Sequence, residues 1–470
     1  MSLCPDRSAR LRKLLPVVLT LAWPTMLEEL MQTAVQYIDT AMVGRLGTDA
    51  TAAVGSTATV NWLIGTTVYA CGIGFLAYIS QALGAGEPER AKKASAQAVL
   101  MVLLLGSLFT VLTAGLSSMV PAWMQVEPRL RPLASRYFLI VYLPMLPRAA
   151  SVIFGTVLRS AGDTKTPMRI GLGVNVLNVI LNFLLIYPTR DLSLFGHSFR
   201  MWGAGLEVTG AALASAVSFT LGGAAMTAAL FRHGTVSPRG FSIRPDREVL
   251  RPCMEVAVPN MAQRFTTSLG YVVFAVMINR LGDVSTAAHT IANTVESAFY
   301  IPGYGMQAAA ATLTGNAIGM QDRQRQKDLS VLIILLEVAM MLLTGSLLFI
   351  YAPQMVGLFS RDPAVISLCG TVLRMVAVSE PIYGISIVVE GMLQGAGKTK
   401  MPFVFNVIGM WGVRILGTFL LTSFFRGGLI SAWGCMIAHN LLLCLLFVLY
   451  YRKLERTSFH GKNSHLSGVL

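Results

Sequence analysis

The sequence LRSAGDTKTP at residues 158–167 returns as LQGAGKTKMP at residues 393–402. The two stretches share Leu, Ala, Gly, Thr, Lys and Pro in register and lie 235 positions apart, which is half of the 470-residue chain. The same displacement places the RLG at 45–47 on the RLG at 280–282. One displacement that holds over this span predicts an internal duplication.

The residues on either side of these stretches are strongly apolar. Hydrophobic residues make up 54% of the chain, charged residues only 13%, and the mean hydropathy is +0.62. A soluble protein carries about 25% charged residues, so the composition excludes that class and indicates membrane-spanning helices. Twelve apolar windows are visible: 14–38, 52–80, 95–118, 133–158, 168–187, 204–231, 253–278, 286–314, 329–350, 365–393, 402–422 and 430–451.

Six windows fall in each half, so both halves enter the membrane in the same orientation. We therefore predict an all-α integral membrane protein with twelve transmembrane helices in two parallel six-helix repeats around a central cavity. The predicted divisions are an amino-terminal lobe at 1–231, a cytoplasmic linker at 232–251, a carboxy-terminal lobe at 252–451 and a cytoplasmic tail at 452–470.

The net charge of +14 is distributed over the loops. Of the 37 Lys and Arg residues, 24 lie on the side of the amino terminus, nine on the opposite side and four within windows. Cytoplasmic loops carry the excess of basic residues, so we expect a multi-pass cell-membrane protein with both termini in the cytoplasm. The scattered charge excludes a basic face for nucleic acid.

No enzyme or cofactor motif is convincing. GAGKT at 395–399 suggests a phosphate loop, but Met392 stands where the first glycine is required. The equivalent turn of the first half has Asp163 in place of Lys398, which a phosphate cradle would not tolerate. The six cysteines form no CxxC pair and no metal-ligand spacing. We expect a protein that is not an enzyme and has no catalytic residues, cofactor or metal site.

Polar residues form a stripe on the first predicted helix. Glu28, Gln32 and Asp39 share one helical face, with Gln36 at its edge. A carboxylate within a span is costly and marks a functional site by default. Asp39 either faces a cavity, which we favour, or reaches headgroup water from a helix end.

The fifth predicted helix carries three amides. Asn175, Asn178 and Asn182 follow one another at i, i+3 and i+7, so they lie on one face. Such a face suits either hydrogen bonds between helices or a site for a cation and substrate.

Two helices of the second half add candidates for the lining of a substrate cavity. Asn293, Glu296 and Tyr300 lie in the eighth predicted helix, and Tyr383 and Glu390 lie in the tenth. Glu296 is near midspan, where a carboxylate indicates function. With Glu28, Gln32 and Gln36, these residues form the predicted substrate cavity.

Several motifs resemble the multidrug and toxic compound extrusion (MATE) transporters. They are Pro24 followed by YIDTAMVGRLG at 37–47, AAH at 287–289 before PGYG at 302–305, and the paired turns quoted above. The resemblance extends through nearly all of both halves. It implies a V-shaped, two-lobe antiporter of twelve helices that exports organic cations by using a gradient of H⁺ or Na⁺.

The resemblance also assigns roles to individual residues. Asp39 matches the aspartate that couples the cation in the amino-terminal lobe, and Asn178 matches an asparagine of the same site. Asn182 stands where one branch of the family has a second aspartate, and Thr267 and Tyr383 stand where another branch has carboxylates. The predicted coupling site is therefore Asp39, Asn178 and Asn182, with H⁺ or Na⁺ as the ion.

Three functions are compared. The first is alternating-access exchange of a small organic cation for H⁺ or Na⁺ by a monomer in the bilayer. The second is a flippase for a lipid-linked saccharide, whose cavity must bind pyrophosphate through basic residues; Arg148, Arg264 and Arg414 keep this alternative open. The third, a receptor without transport, does not explain the repeat.

The predicted orientation can be tested by cysteine labelling. A cysteine introduced near Arg190 should react with an impermeant reagent added to intact cells, whereas one near Arg239 should react only after permeabilisation. Labelling of the Arg239 position from outside would contradict this topology.

Overall fold

The computed structural model describes residues 7–194 and 197–457, without the side chains of residues 56, 58–59, 61–62, 192–194, 197–199 and 457. The first six residues and the tail beyond 457 lie outside the described residues. The elements are α1 Arg7–Gly44, α2 Thr48–Gly84, α3 Pro88–Leu116, α4 Val120–Trp123, α5 Arg131–Tyr142, α6 Met145–Ser160, α7 Lys165–Leu185, β1 Pro188–Leu194, β2 His197–Ala204, α8 Glu207–Arg232, α9 Arg247–Asn279, α10 Asp283–Gly319, α11 Arg323–Gly357, α12 Pro363–Gly395, α13 Lys400–Val407, a π-helix Ile408–Ile415, α14 Leu416–Ser423 and α15 Leu429–Thr457.

Every predicted apolar window coincides with a helical segment. Among the described residues, ten such segments are long and apolar enough to cross a bilayer, and the bent pair α5–α6, with 48° between its helices, makes eleven. Helix α10 covers the window 286–314 and is long enough at 37 residues, but it is too rich in polar and small residues to be counted. The membrane-spanning helical fold is confirmed, and a twelfth span stays a prediction. The one sheet described is the antiparallel hairpin β1–β2.

The helix boundaries repeat the displacement found in the sequence. Six boundaries in the first half have a counterpart in the second half at the same displacement, so the duplication extends to the local backbone. The pairs are Gly44 and Asn279, Thr48 and Asp283, Gly84 and Gly319, Pro88 and Arg323, Ser160 and Gly395, and Lys165 and Lys400.

Left-handed backbone positions repeat in the same way. Gly162, in the first quoted turn, has φ +84°, and Gly397, in the second, has φ +71°. Side chains disfavour this conformation, which explains the glycine in both copies. Two further pairs, at 47 and 282 and at 86 and 321, also have positive φ.

The duplication is broken in one helix. Residues Ile408–Ile415 form a π-helix between α13 and α14. The equivalent stretch of the first half lies within α7, which is α-helical throughout. Short π segments inside helices occur frequently at functional sites.

The chain forms two compact units. The amino-terminal unit contains residues 30–75 and 88–251, and the carboxy-terminal unit contains the described residues of 1–29, 76–87 and 252–470. The start of α1 and the end of α2 thus pack with helices of the second half. The two predicted six-helix lobes were defined by counting helices along the chain, and this division stays a prediction.

Within the carboxy-terminal unit, close backbone contacts fix the start of α1. Thr25 Oγ1 donates to the carbonyl oxygen of Gly305 at 2.8 Å, and a Cβ at Gly305 would collide with the backbone of Met26. Arg10 Nε donates to Asp328 Oδ2 at 2.8 Å, and the Asp328 side chain is buried. Small residues let helices approach closely in membranes, so α1 and α10 pack backbone to backbone.

The predicted linker is fixed to α3 in the amino-terminal unit. Gln97, which is buried, donates through Nε2 to the carbonyl oxygen of Arg244 at 2.8 Å and accepts from the backbone nitrogen of Asp246 at 3.0 Å. Lys93 Nζ lies 2.5 Å from Asp246 Oδ2. The hydrogen bond from Lys93 holds the pKa of Asp246 below its usual range, so this ion pair persists at neutral pH and is lost only as the pH falls through that lowered value.

Replacing Gln97 should release the linker. Gln97→Ala removes the two hydrogen bonds that hold the linker backbone, and a hydrogen bond contributes about 0.5–1.5 kcal/mol. We expect trypsin to cleave after Arg239 and Arg244 faster than in the unchanged protein. The rate is measured by gel electrophoresis of the fragments. Glu89→Ala is the control, since Glu89 is exposed on the same helix and pairs only with Lys92. Equal cleavage rates of the two variants would contradict the assignment.

Candidate functional site

The predicted coupling residues lie together in the amino-terminal unit. Asp39 is half-buried in the last turns of α1, and Asn178 and Asn182 are both buried on α7. Asn182 Nδ2 donates to Asp39 Oδ1 at 2.6 Å. Because Asn178 and Asn182 are one turn apart on α7, both amides face the same carboxylate.

The amide of Asn178 is oriented by its neighbours. Its nitrogen is assigned to face Asp39, because the opposite assignment would place two acceptors against each other. Nδ2 then lies 2.9 Å from Asp39 Oδ1 and 3.2 Å from Oδ2. The amide oxygen faces the hydroxyl of Ser215 on α8, at 3.4 Å. Helices α1, α7 and α8 therefore build this site jointly.

The charge of Asp39 is stabilised by amide dipoles. Among the described residues, no Lys, Arg or His lies within ion-pairing distance of its carboxylate. Hydrogen bonds to charged groups are stronger than those between neutral groups, so the two amides hold the carboxylate in place without neutralising it. It remains able to take up a proton or a small cation.

The other predicted residues of this polar stripe are not gathered at Asp39. Gln32 and Gln36 are exposed in the amino-terminal unit, and Asn175 is half-buried. Glu28 is half-buried and belongs to the carboxy-terminal unit. Sequence spacing correctly placed these residues on their helices, and their role in lining a cavity stays a prediction.

In the carboxy-terminal unit, the predicted tyrosines form a cluster. The rings of Tyr300 and Tyr383 meet edge to face with centroids 5.5 Å apart. Tyr304 joins them, with its hydroxyl 3.2 Å from that of Tyr383. Sequence reasoning noted Tyr304 only as part of PGYG. Tyr300 and Tyr304 lie four residues apart on one helix, and this spacing was the signal for the contact between their rings, whose centroids are 5.9 Å apart.

The predicted acids of this unit lie in different surroundings. Glu390 is half-buried and accepts from Gln263 Nε2 at 2.7 Å. Glu296 is 5% exposed, and Asn293 is exposed three residues earlier on α10. Glu296 interacts electrostatically with Arg414. The sequence analysis named Arg414 as a basic residue that a flippase could use and missed this interaction, because hydropathy does not reveal which groups meet.

A family model matches the chain twice. The description of the model is MatE, and it covers residues 24–184 and 259–420. The chain belongs to the MatE family. The starts of the two matches, at 24 and 259, are separated by the displacement of the repeat. Membership in this family confirms the resemblance found in the sequence.

Relatives and solved structures agree with the family. The chain is 25% identical over 434 residues to the probable multidrug resistance protein NorM of Thermotoga maritima, covering 92% of this chain and 91% of that protein. It is 24% identical to multidrug resistance protein PmpM of Pseudomonas aeruginosa, covering 87% of this chain and 84% of that protein.

A crystal structure of MATE in complex with MaD3S matches with a TM-score of 0.86 at 21% identity, covering 94% of this chain and 96% of that one. An outward-facing multidrug resistance MATE family transporter matches equally well, with a TM-score of 0.86 at 21% identity and the same coverage. These matches establish a MATE transporter fold.

Removing one amide should loosen the Asp39 site. Asn182→Ala deletes the 2.6 Å hydrogen bond to the carboxylate, and hydrogen bonds to charged groups contribute about 1.5–3 kcal/mol. We expect a lower melting temperature in detergent, measured by intrinsic fluorescence. Asn175→Ala is the matched control, because Asn175 makes no hydrogen bond within the described part of the chain. Equal melting temperatures for both variants would contradict the role of Asn182.

Proposed function

We propose that this MatE-family protein is a secondary antiporter that exports organic cations in exchange for H⁺ or Na⁺ at Asp39. The observation that carries the proposal is the Asp39 carboxylate, which two buried amides hold and no basic side chain of the described residues neutralises. An unneutralised carboxylate on a membrane-spanning helix marks an ion or substrate pathway.

One such carboxylate accounts for exchange. An organic cation and the coupling ion both stabilise the negative charge of Asp39. Once one of these two cations is bound, the carboxylate attracts the second cation less strongly. Ligands that compete for one site exclude each other, so release of one accompanies binding of the other. Alternating access then moves them in opposite directions.

The names of the relatives support export of drugs. NorM of Thermotoga maritima and PmpM of Pseudomonas aeruginosa are both called multidrug resistance proteins. We extend that activity to this chain. The acidic site makes organic cations the substrate class that fits the charge.

The donors around Asp39 favour a proton as the coupling ion. Asn178 and Asn182 present N–H groups to the carboxylate. Hard cations require several oxygen ligands. Of the two amides, Asn182 Oδ1 has no hydrogen-bond partner among the described residues, so the amides add one oxygen to those of the carboxylate. A proton needs one carboxylate oxygen only. We therefore propose H⁺ rather than Na⁺ as the coupling ion.

The flippase alternative requires free basic residues in a cavity. In the described structure, Arg414 is buried against Tyr271 and Phe274, and Arg264 donates to Asn260 Oδ1 at 3.2 Å. Arg148 lies over the rings of Tyr142 and Phe219. Each of the three guanidiniums thus already contacts a neighbouring side chain. We retain the antiporter, working as a monomer with both termini in the cytoplasm.

Asp39→Asn tests the coupling role. Asparagine has the same shape but cannot change charge, so the variant should fold and reach the membrane yet lose gradient-driven efflux of ethidium from inverted vesicles. Proton release on addition of ethidium to the purified protein should disappear as well.

Glu296→Gln is the comparison for a carboxylate of the other unit: if Asp39 is the coupling site, efflux by this variant still depends on the gradient, whatever the change in substrate affinity. The assignment is wrong if Asp39→Asn exports at the normal rate while Glu296→Gln does not, because the coupling site would then lie in the second half.

A further inference from the structure

A groove of about 520 Å³ lies in the carboxy-terminal unit, at the end of α9. One wall is formed by the last turns of α9 and by Arg280, which follows them, and the other by Trp411 and Ile415 of the π-helix and Phe419 of α14. Ligand pockets have volumes of about 300–1,000 Å³, so this α9 groove is large enough to hold a ligand. It shares no residue with the Asp39 site.

The spacing of the lining residues explains the groove. Val273, Met277 and Arg280 follow one another at i, i+4 and i+7, so they lie along one side of α9 and its end. The residues named on the opposite wall are spaced by four. Apart from Arg280, every lining side chain is aliphatic or aromatic. The α9 groove is therefore apolar along its length and basic at one end.

The π-helix shapes the second wall. Trp411 and Ile415 both belong to it, whereas their equivalents in the first half, Val176 and Ile180, lie in the regular α-helix α7. A π-helix winds more widely than an α-helix, and Trp411 replaces a small aliphatic side chain by a large ring. The groove thus lies where the duplication is broken, and short π segments occur frequently at functional sites.

The open side of the groove is apolar as well. Val272, Val276 and Phe419 are 53%, 48% and 47% exposed. Both walls belong to segments that are long and apolar enough to cross a bilayer. Polar side chains on spans face a water-filled cavity or the protein interior, whereas half-exposed aliphatic and aromatic side chains suit a hydrocarbon chain. The lining therefore favours a lipid chain as the occupant.

Arg280 supplies the charge that selects the lipid. It is exposed, and within the described part of the chain its guanidinium forms no ion pair. It directly follows the last residue of α9, where a span ends and lipid headgroups lie. A guanidinium binds phosphate through paired, charge-assisted hydrogen bonds. The lining contains no acid, so the groove complements an amphiphilic anion and repels an organic cation.

We propose that the α9 groove binds one anionic phospholipid, with an acyl chain along its apolar walls and the phosphate at Arg280. The bound lipid covers the exposed side of the π-helix and stabilises the carboxy-terminal unit. A ligand that binds only the folded state raises its stability by mass action. The inference is independent of which substrate or ion the protein transports.

Native mass spectrometry of the delipidated full-length protein in detergent tests the proposal. Phosphatidylglycerol and phosphatidylcholine with identical acyl chains are added separately, and bound lipids are counted. We expect the unchanged protein to retain one phosphatidylglycerol. Arg280→Gln should bind it about fivefold more weakly, the effect of one basic side chain on an anionic lipid, and should bind phosphatidylcholine as before.

The repeat offers a matched control. Arg45 is the equivalent of Arg280 in the first half, is also exposed and also follows the end of a long helix, but it does not line the α9 groove. Arg45→Gln removes the same charge and should bind phosphatidylglycerol like the unchanged protein.

A second variant fills the groove without changing charge. Val276→Trp places a large ring between the walls, and it should lose the retained lipid whichever headgroup is supplied. Phosphatidylglycerol should raise the melting temperature of the unchanged protein and of Arg45→Gln more than that of Val276→Trp. If Val276→Trp elutes as an aggregate, Leu416→Trp fills the groove from the opposite wall, where Leu416 is 51% exposed.

Four results would overturn the inference. They are equal affinity of Arg280→Gln and the unchanged protein for phosphatidylglycerol, an equal loss in Arg45→Gln, retention of the lipid by a folded groove-filling variant, and palmitate binding as tight as that of phosphatidylglycerol. The last result would assign the groove to free fatty acids. A dimer that forms on lipid removal and is lost in Val276→Trp would assign it to a second copy of the chain.

Discussion

A charge inside a hydrocarbon layer must find its compensation within the protein. Water is absent there, so each carboxylate or guanidinium needs donors, acceptors or an opposite charge supplied by neighbouring helices. In the described structure, amides hold Asp39, Arg10 pairs with Asp328, and aromatic rings cover Arg414. The carboxylate oxygens of Glu337 and Glu380 are buried without a hydrogen-bond partner among the described residues.

Duplication allowed the two halves to use the same helical positions differently. The helix boundaries and left-handed turns of the second half are still in register with those of the first, so the backbone frame has been kept. The side chains where α1 meets α7 have diverged from those where α9 meets the π-helix. A shared frame with divergent contacts thus gives the two halves different side chains at closely related positions.

The sequence predicted the frame well and the contacts poorly. Hydropathy windows locate membrane-spanning helices because transfer into lipid depends on composition. The repeat is visible from the identities of the residues alone. The meeting of Asp39 with Asn178 and Asn182 was expected from the resemblance to the MATE transporters, whereas the polar faces alone indicated only that these residues face protein or water. The π-helix, the burial of Arg414 and the grouping of residues 1–29 with the second half depend on packing between distant segments, which no local pattern records.

The grouping of the first residues with the second half governs how the chain matures. Thr25 leaves the ribosome early, but its partner Gly305 is made 280 residues later. Translation proceeds at about 5–20 residues per second, so this contact waits for roughly 14–56 seconds. During that interval the start of α1 sits in the bilayer without the helices it packs against. The carboxy-terminal unit therefore cannot be completed until α10 has been made, whereas every residue of the amino-terminal unit is made before residue 252.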